Sequence, residues 1–280
     1  MRPVAIATAH GILDPDEAAL VAALARHGLA GEARVWNDAS VPWEDYAQVV
    51  VRSTWDYTRH PDAFLAWTRA RPHILNPSDV LAYSADKRYL VDLAARGLPA
   101  VPTTVLEVGA PLSWPEGDVV VKPAIGAGSL GAARFAASDT AAARAHAAAL
   151  HARGAAAVVQ PYRSSVDTHG ELALIYLGGT FSHAVRKDAL LGHAEHQRTP
   201  EMRRAGIQAA AADGAAREVG DAVLHALGFA DLTYARVDLL AHDASWQVLE
   251  LELVEPMLYL GYAPSAADAL ASAIAERTPA

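Results

Sequence analysis

At 280 residues, with a formal net charge of −9, no cysteine and a mean hydropathy of +0.11, the chain is long enough to bury one large core or two ordinary ones. The acidic balance offers no basic footprint for nucleic acid or an anionic membrane, so neither is expected as a partner and a small ligand is. The lack of cysteine excludes disulfides, thiol catalysis and thiolate metal sites and fits the cytoplasm, and no apolar run approaches the ~20 residues of a membrane span.

In chain order, VAIATA from Val4 to Ala9 predicts a first core strand. Asp14-Pro15-Asp16-Glu17 predicts the start of a helix that reaches His27 and stops at Gly28. ARVWN and AQVVVRS predict two more strands and PDAFLAWTRA a helix, so the opening third reads as a small α/β unit with a mainly parallel sheet. Its last strand runs into Arg52-Ser53-Thr54-Trp55-Asp56-Tyr57, and open α/β sheets hold ligands at the carboxyl ends of their strands. The plain alternative there is Arg52 paired to Asp56 above a buried Trp55.

Ser84 or Asp86 can cap a helix through Leu93, with Gly97 as its stop, and Pro99 and Pro102 force extended chain into a strand from Thr103 to Leu106. DVVVKP predicts a strand carrying Lys122, AARF a returning strand, SDTAAARAHAAALHARG a helix capped by Ser138 or Asp139, and AAVVQPY a strand. ELALIYLGGTFSHAVRK reads as a hairpin turned by Gly178-Gly179. Asp188 to Gly214 reads as a polar loop, AAREVGDAVLHALG as a helix, LTYARVDLLAH and WQVLELELVEP as strands, and a last helix starts from Pro264.

Gly126, Gly128 and Gly131 spell G-x-G-x-x-G. A Rossmann loop would lead into a helix and require an acidic residue roughly 20 positions on, and a kinase loop would precede its lysine. Here AARF looks like a strand and Lys122 comes first, so both readings fail. What remains is a lysine-bearing strand followed by a flexible Gly-Ser turn whose amides can close over phosphates, or a structural turn alone.

Near the C-terminus Asp238, Glu250 and Glu252 lie on two predicted strands, the two glutamates at i and i+2 and therefore on one face. Three carboxylates on one sheet face repel unless hydrated or holding a cation, and hard oxygen ligands beside phosphates suit Mg²⁺. A solvated acidic strand is the alternative, but Leu249, Leu251, Leu253 and Val254 mark a buried strand with one polar face. Glu255 reads either as substrate-facing or as part of a turn. His183, His193 and His196 lack zinc spacing and read as solvated or substrate-facing, and Trp36, Trp43, Trp67, Trp114 and Trp246 read as packing.

These elements, in this order and over nearly the whole chain, resemble the ATP-grasp ligases and, within them, the glutathione synthetase-like branch. The matching residues are Lys87 in SADKRYL, Lys122 in VVVKP, the loop Gly126 to Gly131, Gln160-Pro161-Tyr162, Arg186 in HAVRK, Asp238 in ARVDLL, and Glu250 with Glu252. Glu252 stands where that family usually has Asn, which adds negative charge. STWDY, VDTHGE, SHAVRK and ELELVEP resemble, more narrowly, the O-ureidoserine cyclo-ligases of cycloserine biosynthesis and their relatives.

The resemblance implies an α/β (α+β overall) ATP-grasp fold. Residues 1–78 would form a small parallel-sheet N-terminal domain and 79–280 the ATP-grasp domain, with a lid subdomain over about 104–160 and an antiparallel-sheet C-terminal subdomain. It implies ATP and Mg²⁺. Lys87 and Lys122 would meet the phosphates under Gly126, Gly128 and Ser129, and Gln160, Pro161 and Tyr162 would meet the adenine. Asp167 or Glu171 would meet the ribose, and Asp238, Glu250 and Glu252 would hold the metal. Arg52, Ser53, Thr54, Asp56, Arg186 and Glu255 would face the substrate, an amino-acid-like carboxylate met by an amine nucleophile. Arg186 or Arg236 would steady the tetrahedral oxyanion. The family's common dimers and tetramers leave a homo-oligomer open. Lys122→Ala or Asp238→Ala is expected to lose turnover with folding unchanged. A phosphotransferase without an amine acceptor and a non-catalytic nucleotide-binding protein are the competing readings.

Overall fold

The computed structural model describes residues 2–11, 13–110, 114–189, 206–229 and 232–279. Three sheets organise them. The first is parallel, in the order β2-β1-β3-β4, from Val4–Thr8 (β1), Gly31–Val35 (β2), Gln48–Val51 (β3) and Ile74–Leu75 (β4). Helix α1 (Pro15–Arg26) follows β1 and starts as the sequence predicts, with Asp14 and Glu17 forming a reciprocal capping box and Pro15 inside the first turn. Helix α2 (Pro61–Arg69) contributes Phe64 and Trp67 to a buried aromatic cluster with Trp36 and Trp43.

The second sheet is antiparallel, in the order β5-β8-β6-β7, from Thr104–Leu106 (β5), Val119–Pro123 (β6), Ala133–Phe135 (β7) and Ala157–Pro161 (β8). Alternation along β6 buries Val119 and Val121 against Ala143, Ala147 and Leu150 of α5 (Thr140–His151) and turns Val120 and Lys122 to the other face. Neither Ser138 nor Asp139 caps α5 through its side chain, and a single 3₁₀ turn, Ala137–Asp139, leads into it instead.

The third sheet is antiparallel, in the order β11-β10-β9-β12-β13, from Glu171–Leu177 (β9), Thr180–Lys187 (β10), Ile207–Ala210 (β11), Tyr234–His242 (β12) and Ser245–Glu252 (β13). Gly178 and Gly179 turn the β9–β10 hairpin with φ of 58° and 77°, the paired left-handed conformation that a two-residue loop between twisted strands requires. Strand β11 lies within the stretch expected to be loop. Its pairing to β10 supplies a sheet edge that polar composition does not announce.

Between β5 and the first sheet lie two helices, α3 (Ser78–Ala85) and α4 (Tyr89–Ala95), where the sequence suggests one. Ser84 sits inside α3 and donates its hydroxyl to the Leu251 carbonyl, while Asp86 is extended and ends that helix. The short α6 (Ser165–His169) precedes β9, and α7 (Gly214–Ala226) and α8 (Ala266–Glu276) complete the described helices. One apolar core joins the first sheet to the third: Val4, Ile6, Leu20 and Leu24 pack with Ile175, Leu258, Leu270 and Ile274. No described helix is long and apolar enough to cross a membrane.

Candidate active site

A cavity of about 440 Å³ lies between the second and third sheets, and residues of α3, the segment around Trp55 and the loop after β13 also line it. Its floor and the layer directly beneath it are a block of four side chains that strand register alone produces. Arg236 and Asp238 are two apart on β12, Glu250 and Glu252 two apart on β13, and the ladder pairs Arg236 with Glu252 and Asp238 with Glu250. Carboxylate oxygens of Asp238, Glu250 and Glu252 all lie within 4.8 Å of one another.

These carboxylates are held by the protein's own cations. Arg236 donates to Asp238 from Nε at 2.9 Å and Nη2 at 2.9 Å, and also to Glu252. Lys187 Nζ lies 2.6 Å from Asp238 and 2.8 Å from Glu171, and Lys122 Nζ donates to Glu250 at 2.7 Å. Burial opposes charge on Asp238, but Arg236 and Lys187 outweigh it and hold the carboxyl below its ordinary value. Burial likewise opposes charge on Glu250, and Lys122 with Lys87 hold it far below the usual carboxylate range. Glu252 goes the other way. Burial lifts it to about 7, and Asp238 and Glu250 add to the lift against the opposing pull of Arg236.

Glu255 rises to about 8, through burial first and Glu252 second. Both groups therefore bind protons more tightly in the folded protein than in the unfolded chain, where a glutamate titrates near 4.5. Stability is fully expressed below that value and is lost as pH rises through 7 and 8. The depressed Asp238 and Glu250 act only below this window. Without metal or nucleotide, the thermal midpoint is expected to be lower at about pH 8.5 than at about pH 6, and Glu255→Gln to flatten the slope. A flat or rising midpoint in the unsubstituted protein would contradict these assignments.

The glycine run joins two antiparallel strands, β6 and β7, which settles its context as a hairpin rather than a strand-to-helix phosphate loop. Gly128 and Ser129 both sit at φ 60°, and Gly126, Gly128 and Ser129 border the cavity. Lys87 Nζ donates to the Gly126 carbonyl at 2.8 Å, and its backbone N–H to Ala124 O at 2.9 Å, so the Lys87 segment and the hairpin are tied together. Gln160, Pro161 and Tyr162 follow along one wall. The Gln160 amide donates to Thr103 Oγ1 at 3.0 Å, and Arg134 stacks 3.5 Å above the Tyr162 ring.

The structure thus gathers Lys87, Lys122, Gly126, Gly128, Ser129, Gln160, Pro161, Tyr162, Glu171, Arg236, Glu250, Glu252 and Glu255 around one cavity, with the buried Asp238 beneath its floor. Other expected residues lie elsewhere. Arg186 is exposed on the opposite face of β10 and donates to Gln208 Oε1 at 3.3 Å, whereas Lys187, its neighbour, points inward. Asp167 accepts the Tyr162 hydroxyl at 2.5 Å outside the cavity lining. Ser53 and Thr54 are buried away from it, and Asp56 accepts the Trp36 indole N–H at 2.8 Å. Arg52 is buried, lies 3.4 Å from Glu17 and donates to the Pro256 carbonyl at 2.7 Å, so it is not paired to Asp56. Trp55 is 40% exposed at the cavity wall instead of buried. His183 meets the Tyr259 carbonyl at 3.2 Å, and His193 and His196 lie outside the described residues. Lys187 is a charged cavity-lining residue that sequence reasoning passed over. Strand alternation in HAVRK offered it or Arg186, and only the register to β9 decides between them.

The curated cycloserine biosynthesis protein DcsG of Streptomyces lavendulae is 37% identical over 286 residues, an alignment covering 95% of this chain and 94% of that protein. The chain belongs to the DcsG family of ATP-grasp ligases. Residues 4–76 match the family model described as the N-terminal domain of D-cycloserine synthetase DcsG. The crystal structure of D-cycloserine synthetase DcsG superposes with a TM-score of 0.87 at 34% identity, covering 98% of this chain and 99% of that one. A RimK domain ATP-grasp protein from Sphaerobacter thermophilus DSM 20745 superposes at 0.71 with 13% identity, over 99% and 100% of the two chains, and shares the fold. ADP-forming, ATP-dependent ligation of a carboxylate to an amine is the activity class of this DcsG family chain.

Proposed function

We propose that this enzyme phosphorylates the carboxylate of a small amino-acid-like substrate and closes an amide or ring C–N bond, as a DcsG-like cyclo-ligase of antibiotic biosynthesis with O-ureidoserine the first substrate to test. The observation that carries this reading is the opposition, across one cavity, of Lys122 and the glycine hairpin to the block formed by Arg236, Asp238, Glu250 and Glu252. Uncompensated, a buried acidic block of this kind would be costly, and a polyphosphate brings the reason to keep both the cations and the acids.

Lys122 and Lys87 stand where they can exchange their present acceptors, the Glu250 carboxylate and the Gly126 carbonyl, for phosphate oxygens. The hairpin, with Leu130 59% exposed at its tip, covers the transferring group and excludes water. Asp238, Glu250 and Glu252 form an all-oxygen donor set that suits Mg²⁺, which when bound supplies neutralisation of phosphate charge. Glu171, inside the cavity, is better placed for a ribose hydroxyl than Asp167. A carboxylate oxygen of the substrate attacks the γ-phosphorus, the bond to the β-bridging oxygen breaks, and ADP leaves. A nitrogen lone pair then attacks the acyl carbon, Arg236 meets the charge on the tetrahedral oxygen, and phosphate departs with the C–O pair and takes up the proton that the nitrogen loses. The ATP requirement fits a cytoplasmic enzyme, and residue 78, the first residue of α3, marks the boundary between a substrate-side and a nucleotide-side unit.

With O-ureidoserine carrying ¹⁸O in both carboxylate oxygens, one label is expected in the released phosphate, together with a ring-closed product lighter than its substrate by at least one water. Phosphate free of label would rule out an acyl phosphate. A stable phosphorylated product would mark a phosphotransferase, and nucleotide binding without ADP release across a panel of amino-acid carboxylates would mark a binding protein.

A further inference from the structure

Glu255 differs from the other carboxylates around the active-site cavity. Asp238, Glu250, Glu252 and Glu171 each have a lysine or arginine within ion-pair distance. Glu255 lines the same cavity half-buried, with no ion pair and no hydrogen bond to another side chain among the described residues. The positive charges that act on it, Lys87 and Arg236, are committed elsewhere, Lys87 to the Gly126 carbonyl and Arg236 to Asp238, Glu252 and the Met257 carbonyl.

Tyr57 reaches the cavity as well. Its ring is locked against Phe64 at 4.7 Å, its hydroxyl has no partner among the described residues, and Glu255 is the charge that acts on it most.

The loop that carries Glu255 is held from every side. Val254 O accepts the Tyr234 hydroxyl at 3.0 Å, Pro256 O accepts Arg52 Nη2 at 2.7 Å and Met257 O accepts Arg236 Nη1 at 3.1 Å. Tyr259 O meets His183 Nε2 at 3.2 Å, and Leu260 N–H donates to Asp16 at 3.0 Å. Four donors and one acceptor, from the end of β3, β10, β12 and α1, fix the backbone on both sides of one unpartnered carboxylate. Such an investment in rigidity suits a group that must meet a ligand in a set position.

We infer that Glu255, assisted by the Tyr57 hydroxyl, is a specificity-determining residue that binds the free ammonium of an amino-acid substrate and so aims its carboxylate at the phosphate. The inference rests on the proposed carboxylate phosphorylation. Arg52, expected to touch substrate, is then a positioning residue that acts through the Pro256 carbonyl.

Two pairs of probes test this: O-ureidoserine with its Nα-acetyl derivative, and serine with N-acetylserine. Their binding is measured calorimetrically with Mg²⁺ and a non-hydrolysable ATP analogue, and ADP release is followed in parallel. The unsubstituted enzyme is expected to prefer the free amine by about 10–100-fold in at least one pair, the usual worth of a charge-assisted hydrogen bond. Glu255→Gln is expected to remove most of that preference while binding the ATP analogue normally, and Tyr57→Phe to reduce it about threefold. Absence of a free-amine preference in every pair, or a preference unchanged in Glu255→Gln, overturns the inference. Failure of the ligase reading looks different: the preference persists and follows Glu255, but no ADP appears.

Discussion

Lys122→Ala is expected to lower ATP-dependent turnover by about 10²–10³-fold while the protein melts within a few degrees of the unsubstituted enzyme. The two parts of that result have separate physical causes. Lys122 is the inward residue of β6 next to Pro123, where the strand leaves the sheet for the glycine hairpin, and alternation with Val121 places its ammonium on the cavity side. A fixed positive charge aimed where phosphate charge redistributes is worth most in a site that excludes water, so its loss falls on the chemical step. Folding depends on it little. Its partner Glu250 is half-buried and open to the cavity, and Lys87 remains as a second positive neighbour when Lys122 is gone. Steady-state ADP release and a thermal melt on the same preparation check both parts. Full turnover in Lys122→Ala would remove the residue from the site.

Much of this arrangement is legible in the sequence, and the parts that are not share a cause. The carboxylate block could be read because Glu250 and Glu252 lie two apart on β13, and a two-residue spacing fixes a face whatever the partner strand is. The glycine hairpin could be read because Gly131 is followed by AARF, whose short length suits a returning strand. By contrast, the break between α3 and α4 is set by a tertiary contact. Lys87 gives its backbone N–H to Ala124 and its ammonium to Gly126, and no local propensity records that a helix must open to let it do so. Arg52 shows the same limit. A strand-end arginine resembles a ligand-binding group until Glu17, already expected as a first-turn acid, is found 3.4 Å away in a second role. In HAVRK the register to β9, and nothing in the residues themselves, turns Lys187 inward and Arg186 out.

Asp238→Asn is expected to abolish turnover to a similar or greater degree and, unlike Lys122→Ala, to destabilise the protein as well, where the sequence alone led to an expectation of unchanged folding for Asp238→Ala. Asp238 is 1% exposed and meets two cations that are themselves buried, Arg236 through two hydrogen bonds and Lys187 through one at 2.6 Å. Removing its charge leaves both cations to share Glu171 and Glu252. Breaking a buried charge pair from one side typically costs about 3–5 kcal/mol, because the remaining charge stays out of water without its counterion. For a chain of this size that corresponds to a fall in thermal midpoint on the order of 10 °C. Loss of activity alone would therefore not distinguish a metal ligand from a structural acid. The double substitution Asp238→Asn with Lys187→Met makes the separation. It removes one of the two stranded cations and is expected to recover about half of the lost stability, since the groups are in direct contact and their effects do not add. Turnover should not recover with it, because the oxygen donor that completes the set with Glu250 and Glu252 is still missing. Activity returning in step with stability would assign Asp238 to the scaffold and leave the metal to the two glutamates.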